Sequence, residues 1–360
     1  MRIKQAGKNI KYSTITYLLK LALQFAVRLV FVRSLPLEYL GINGLFTNLL
    51  AMLSLAELGV GTAIVYSLYK PLADKDTETI KALMRLFKKA YTCIGILIIG
   101  AGLCVVPWLD WFIKGSAVAD IHWFYIIFLL NTSVSYFYSY KRNLLIADQK
   151  QYINSIYQSA GQISLAVLQI ISLLIYPSYW LYIILMLLVT VSENYAVAKK
   201  ADRVYPYLQE KNVQSLDREI KNTIVRNTKA MIAHKIGGMA VFSTANLILA
   251  KFVGLAAVGL YSNYYLVISA ANSFAGQFFS SITAGIGNLI ALESNKKKAE
   301  IFKVTEFMVA WQATIVGCGF FTLFNPLVEL WLGKQFLFDD AIVTCLIINF
   351  YLMYLKEFHN

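Results

Sequence analysis

Apolar stretches long enough to cross a bilayer recur ten times between Tyr12 and Tyr354, with short charged segments between them. A helix needs about 20 apolar residues to span the hydrocarbon, and a water-soluble core has no use for so many elements of that length. On that ruler the predicted spans are Tyr12–Leu35, Tyr39–Tyr69, Leu86–Ile113, Ile121–Ile146, Tyr152–Tyr176, Tyr179–Ala198, Ala230–Phe252, Val258–Leu292, Phe302–Leu332 and the short Ala341–Tyr354. A soluble surface cannot be made from the remainder. Asp, Glu, Lys and Arg make up only 15% of the 360 residues, against about 25% in soluble domains. The basic start, Met1–Lys11, imitates a signal peptide, but the apolar stretch after it holds Lys20 and Arg28 and meets no small-residue cleavage pattern. It reads as a retained first span.

The net charge of +13 does not point to nucleic acid once its placement is considered. With a cytoplasmic N-terminus, the inside segments carry 4 Lys and Arg in residues 1–11, 6 in 70–89, 3 in 141–150, 8 in 199–229, 4 in 296–303 and 1 at Lys356, while the outside loops hold only Lys114 and Lys334. This is the positive-inside bias, and it orients the chain. Trp108, Trp111, Trp123, Trp180 and Trp331 fall at predicted outer ends, with Trp311 the exception. Amphipathic indole rings favour that headgroup level. The one long charged loop, residues 199–229, divides six spans from four, giving a first bundle over 1–198, a cytoplasmic connector able to touch anionic lipid, and a second bundle over 230–360.

Shifting the chain on itself by 218 residues lays Leu29-Val30-Phe31-Val32-Arg33 over Leu247-Ile248-Leu249-Ala250-Lys251, and Leu37 and Gly41 over Leu255 and Gly259. At a shift of 219, Pro107 meets Pro326. Six spans return the chain to its starting side, so the repeat is expected to be parallel, about an axis along the membrane normal. Repeats of that kind place a substrate path at their interface and work by alternating access.

Within the first span, Thr16, Lys20, Gln24 and Arg28 are spaced by four and fall along one helical stripe. A charge near mid-bilayer costs about 2.5 to 3.5 kcal/mol on insertion scales. Lys20 and Arg28 are therefore expected to line a wet cavity or to snorkel toward the two interfaces. In the seventh span, the positional counterpart of the first, Lys235 lies beside His234 near the inner end and Asn246 falls where Arg28 would be. Lys20, Gln24, Arg28, Lys235 and Asn246 form the candidate substrate-binding set. Glu57, followed by Gly59 and Gly61, is the most notable acid inside a span; it is a candidate for ion coupling or for a structural hydrogen bond near the glycines. Polar residues in other spans, among them Asn43, Asn131, Gln169 and Asn272, are expected to bond between helices or to face a lumen.

No nucleophile arrangement, nucleotide loop or metal spacing is present in the sequence. Cys93, Cys104, Cys318 and Cys345 sit in or beside apolar spans and read as small hydrophobes. Outer loops are too short to house an aqueous catalytic domain, so a transport role without a cofactor is expected rather than an enzyme.

The stretch from Val32 to Phe46, VRSLPLEYLGINGLF, continuing into Leu55-Ala56-Glu57-Leu58-Gly59-Val60-Gly61, resembles Wzx-type polysaccharide flippases of the multidrug/oligosaccharidyl-lipid/polysaccharide exporter superfamily. The resemblance implies an all-α, MATE-like protein of the bacterial cytoplasmic membrane, with two bundles around a central cavity. It implies undecaprenyl-diphosphate-linked oligosaccharide as cargo, cavity cations on the diphosphate, and polysaccharide polymerase and other assembly proteins as partners. That superfamily has twelve or more spans; ten are expected here, so the second bundle is expected to be incomplete and the chain a truncated product. Competing readings are a MATE-type exporter of cationic drugs, with buried acids in place of fixed cations, and a non-transporting scaffold.

Overall fold

A backbone segment in lipid must satisfy its own N–H and C=O groups, and a helix does so within one segment. All the regular structure among the described residues is helical. The computed structural model describes residues 2–57, 60–113, 118, 120–210, 216, 222, 224, 226, 244–292 and 295–358. The first compact unit, Met1–Val258, contains α1 (Arg2–Ser34), α2 (Leu37–Leu53), α3 (Val60–Ala73), α4 (Thr77–Val105), α5 (Leu109–Phe112), α6 (Ile121–Ala147), α7 (Gln151–Ile175), α8 (Tyr179–Val204) and α9 (Thr244–Phe252). α10 (Leu255–Leu292) begins in this unit and continues into the second, Gly259–Asn360, which adds α11 (Asn295–Leu332) and α12 (Asp340–Phe358).

The helices cover the predicted spans and extend past several of them, α1 starting at Arg2, α8 reaching Val204 and α11 starting at Asn295; the second, third and seventh spans differ further. The second span is not continuous: a 3-10 turn at Ser54–Glu57 separates α2 from α3. Ser54 Oγ turns back onto the Leu50 carbonyl at 2.8 Å, the local competition with the helix ladder that loosens a helix at such a residue. The third span begins earlier, at Thr77, where the Asp76 side chain accepts the Thr79 N–H at 3.0 Å and caps the helix. Its outer end tightens into a 3-10 turn at Val106–Trp108 because Pro107 withholds the N–H that an α-helix requires. The seventh span is described from residue 244 onward; His234, Lys235 and the rest of it lie outside the described residues.

The repeat has a structural counterpart. Helices α2 and α10 begin at Leu37 and Leu255, the two positions that the shift of 218 superposes. Gly41 lets α2 come against the start of α10, since a Cβ there would overlap the Leu255 carbonyl. The compact units divide after Val258, because α9 packs on α2 through Asn246 and Gly44.

Four stretches, Thr77–Phe112, Gln151–Ile175, Tyr179–Val204 and Phe302–Leu332, are long and apolar enough to cross a membrane by length and composition. Ile175 is 78% exposed and Leu330 88%. Apolar surface on this scale is untenable in water and ordinary in lipid. The interior of the first unit is aromatic, with Phe31, Phe46, Phe87, Tyr91, Phe124 and Tyr125 almost wholly buried. The protein is an all-α, multi-pass integral membrane protein.

Residues assigned to one side of the membrane also meet one another. At the predicted outer ends, Lys251 lies over the Trp111 ring, 3.0 Å from its centroid, and Trp180 Nε1 donates to Asp120 at 3.3 Å. At the opposite ends, Lys81 bonds Glu210 and Lys141 bonds Asp202, each at 2.6 Å. This sorting gives a labelling prediction. In a chain lacking its native cysteines, a cysteine replacing the exposed Asp110 is expected to react with an impermeant maleimide on intact cells, and one replacing the exposed Asp74 only after lysis. The reverse pattern would overturn the orientation.

Candidate functional site

Helix α1 packs against α7, and its Arg28–Phe31 end meets α8. Lys20 and Arg28 are half-buried and Gln24 is exposed. At 1.5 Å rise per residue, Lys20 and Arg28 stand about 12 Å apart along the axis. Arg28 lies within electrostatic range of the Tyr182 hydroxyl on α8. Phe31, one turn on, packs edge-on against the Tyr182 ring at 4.9 Å. Gln169 on α7 is 5% exposed and donates to the Tyr182 carbonyl at 3.3 Å, fixing α8 beside the cation.

Tyrosines pack together beyond Arg28 toward the predicted outer end. Tyr179 stacks on Tyr39 at 4.5 Å and lies parallel to Tyr182 at 6.2 Å. Its hydroxyl donates to Asn43 Oδ1 at 2.9 Å, tying α8 to α2. The cation thus stands beside a packed layer of phenol rings and amide groups that ties α1, α2, α7 and α8 together. Asn43 and Gln169, expected to bond between helices, do so here.

The other expected site residues are placed elsewhere. Asn246 on α9 is 6% exposed, and its Nδ2 donates to the Gly44 carbonyl at 3.2 Å, a helix-packing contact with α2. Glu57 occupies the 3-10 break, where Oε1 accepts the Tyr91 hydroxyl at 3.1 Å and Tyr91 Oη in turn accepts Asn143 Nδ2 at 2.8 Å. Gly61 makes room for this cluster, since a Cβ there would stand 2.9 Å from Tyr91 Oη. The carboxylate is held where the helix is interrupted, by groups from α4 and α6. Lys20, Gln24 and Arg28 thus share one helix, while Asn246 and Glu57 belong to separate clusters.

A second charged constellation was not legible as a site. Arg142 on α6 donates to Glu193 at 2.7 Å and to Asn194 at 3.1 Å on α8, and to Asn154 on α7 at 2.7 Å. Residues 141–150 count as an inside segment by charge, and the predicted span Ile121–Ile146 already takes in Arg142; what the sequence does not show is that α6, reaching Ala147, sets this arginine between α7 and α8. The available signal was the pairing of an uncommon acid, Glu193, with an arginine at the same depth on an adjacent span. Among the described residues, no group of three or more His, Cys, Asp or Glu is gathered as for a metal ion.

No protein-family model matches the sequence, and no curated protein matches it. Among solved structures, the chain is similar to an inward-facing multidrug resistance MATE family transporter of the MOP superfamily, with a TM-score of 0.68 and 13% identity, covering 94% of this chain and 81% of that one. It is also similar to a MATE in the bent conformation, with a TM-score of 0.54 and 14% identity, covering 94% of this chain and 78% of that one. At such identities the likeness is one of fold: the chain has a MATE-like architecture.

Proposed function

We propose that this chain is a flippase that moves a lipid-linked oligosaccharide, anchored through a diphosphate such as undecaprenyl diphosphate, from the cytoplasmic to the outer leaflet of a bacterial cytoplasmic membrane. The observation that carries the proposal is Arg28, a half-buried cation on α1 within electrostatic range of Tyr182 and one turn from the Phe31–Tyr182 ring contact, with Lys20 two turns below it. Such a charge is costly within a membrane and marks a functional position when it is kept there. An anionic head entering from the inner side meets Lys20 and then Arg28, whose planar fork suits two phosphate oxygens. Tyr39 and Tyr182, both half-buried, are the aromatic groups nearest Arg28 that a saccharide could reach. Translocation by alternating access exchanges hydration of the head for these contacts and breaks no covalent bond, so the proposed role is transport rather than catalysis. Lys235 remains a proposed third cation of the path, and a polysaccharide polymerase a proposed partner.

The multidrug transporter to which the chain is similar represents the competing reading, a MATE-type exporter of cations, and Glu57 in the interrupted second span is the observation that favours it. Lipid capture separates the two. Protein purified in mild detergent from cells making a lipid-linked oligosaccharide is expected to retain that lipid, identified by mass spectrometry, in preference to phospholipids of similar chain length. Retention of organic cations competed by protons, with no diphosphate lipid, would favour the exporter. Normal polysaccharide export after neutralising both Lys20 and Arg28 would favour the non-transporting scaffold.

A further inference from the structure

A second basic feature lies away from the α1 stripe, at the end of the first unit that the charge pattern assigns to the cytoplasm. Lys81, Met84, Arg85 and Lys88 are spaced i, i+3, i+4, i+7 on α4 and so share one face. With Tyr140 and Lys141 of α6, Asp202 of α8 and the turn Leu208–Glu210, that face encloses a cleft of about 600 Å³.

The cleft is built, not merely a patch of surface lysines. Lys81 is 5% exposed and fixed between Glu78 at 2.5 Å and Glu210 at 2.6 Å. Lys141 is fixed by Asp202 at 2.6 Å. These pairs consume the acids that line the cleft. Arg85 and Lys88 are exposed and, among the described residues, make no ion pair. Two uncompensated cations therefore face a cavity whose remaining charges are already matched.

Their position narrows the ligand. The predicted third span begins at Leu86, so Arg85 and Lys88 stand within one turn of the membrane boundary, at the depth of lipid phosphates. Arginine offers a bidentate fork to a phosphate and lysine a point charge beside it. Each cation near an anionic membrane surface contributes about 1 kcal/mol, which is roughly fivefold in affinity.

We propose that this cleft is a phosphoanion site, filled by the headgroup phosphate of an anionic membrane lipid or by a soluble phosphoanion of the same chemistry. The site is distinct from the α1 stripe, and its failure would leave the flippase proposal standing.

The test uses the full chain in detergent, with the Arg85→Gln, Lys88→Gln double variant and, as a positional control, Lys89→Gln, an exposed neighbour that does not line the cleft. Phosphatidylglycerol and phosphatidylcholine are the lipid probes, and inorganic diphosphate the soluble one. The double variant is expected to bind phosphatidylglycerol about 25-fold more weakly than the parent at low salt, with phosphatidylcholine binding unchanged and Lys89→Gln near the parent. Persistence of bound phosphatidylglycerol in excess diphosphate assigns the site to lipid; displacement by diphosphate assigns it to a soluble phosphoanion. Equal binding by parent and double variant, or a loss as large with Lys89→Gln, would overturn the site. Unchanged unfolding temperatures of the variants without ligand tie the effect to binding rather than to folding.

Discussion

Arg28→Ala is expected to lower retention of the lipid-linked diphosphate by about 30-fold and to stop its translocation in reconstituted vesicles, while Arg28→Lys keeps part of both. A hydrogen bond to a charged group is worth about 1.5 to 3 kcal/mol, and about 2 kcal/mol corresponds to that factor. Lysine restores the charge without the bidentate fork, so its effect should fall between parent and alanine. Lys20→Ala removes the first cation met on entry and should slow capture more than it weakens the final hold. Removal of a half-buried side chain can also destabilise the fold, so membrane abundance and a monodisperse elution profile are measured alongside. Parent-like translocation by a Lys20→Ala, Arg28→Ala double variant at normal abundance would sink the anionic-cargo mechanism.

The membrane class, the helices and their approximate ends were legible because each rests on a local quantity: apolar length, the placement of Lys and Arg, and tryptophan at one set of ends. The repeat was legible for the same reason, and the starts of α2 and α10 fall at the positions it aligns. The break at Ser54–Glu57 was not legible. It arises from a serine turned onto the Leu50 carbonyl and from a carboxylate met by a tyrosine 34 residues away, contacts with no sequence period. Arg142 was hidden in the same way, since its carboxylate partner lies 51 residues distant. Asn246 shares the position of Arg28 in the repeat, but a shared position does not preserve a shared environment. Its amide fits the backbone that Gly44 leaves open, and packing claims it.

Those distant contacts show what holds the inner half of the first unit together. Arg142 joins α6 to α7 through Asn154 and to α8 through Glu193 and Asn194. Its side chain is only 17% exposed and that of Glu193 16%. Gly161 on α7 admits the carboxylate, because a Cβ there would come against Glu193 Oε2. Breaking such a pair leaves one charge buried without a counterion, which costs about 3 to 5 kcal/mol. Arg142→Ala is therefore expected to lower the unfolding free energy in detergent by about 3 kcal/mol and to deplete the protein from membranes. Glu193→Gln should cost less, since its amide oxygen can still accept from the guanidinium. Replacing both partners, Arg142→Met with Glu193→Leu, removes the stranded charge and should recover much of the loss, although Asn154 and Asn194 then lose their donor. A double variant as unstable as Arg142→Ala alone would place the stability in the asparagine bonds rather than in the ion pair. An Arg142→Ala variant as stable as the parent would mean that the charges are solvated and that the three helices are held by apolar packing alone.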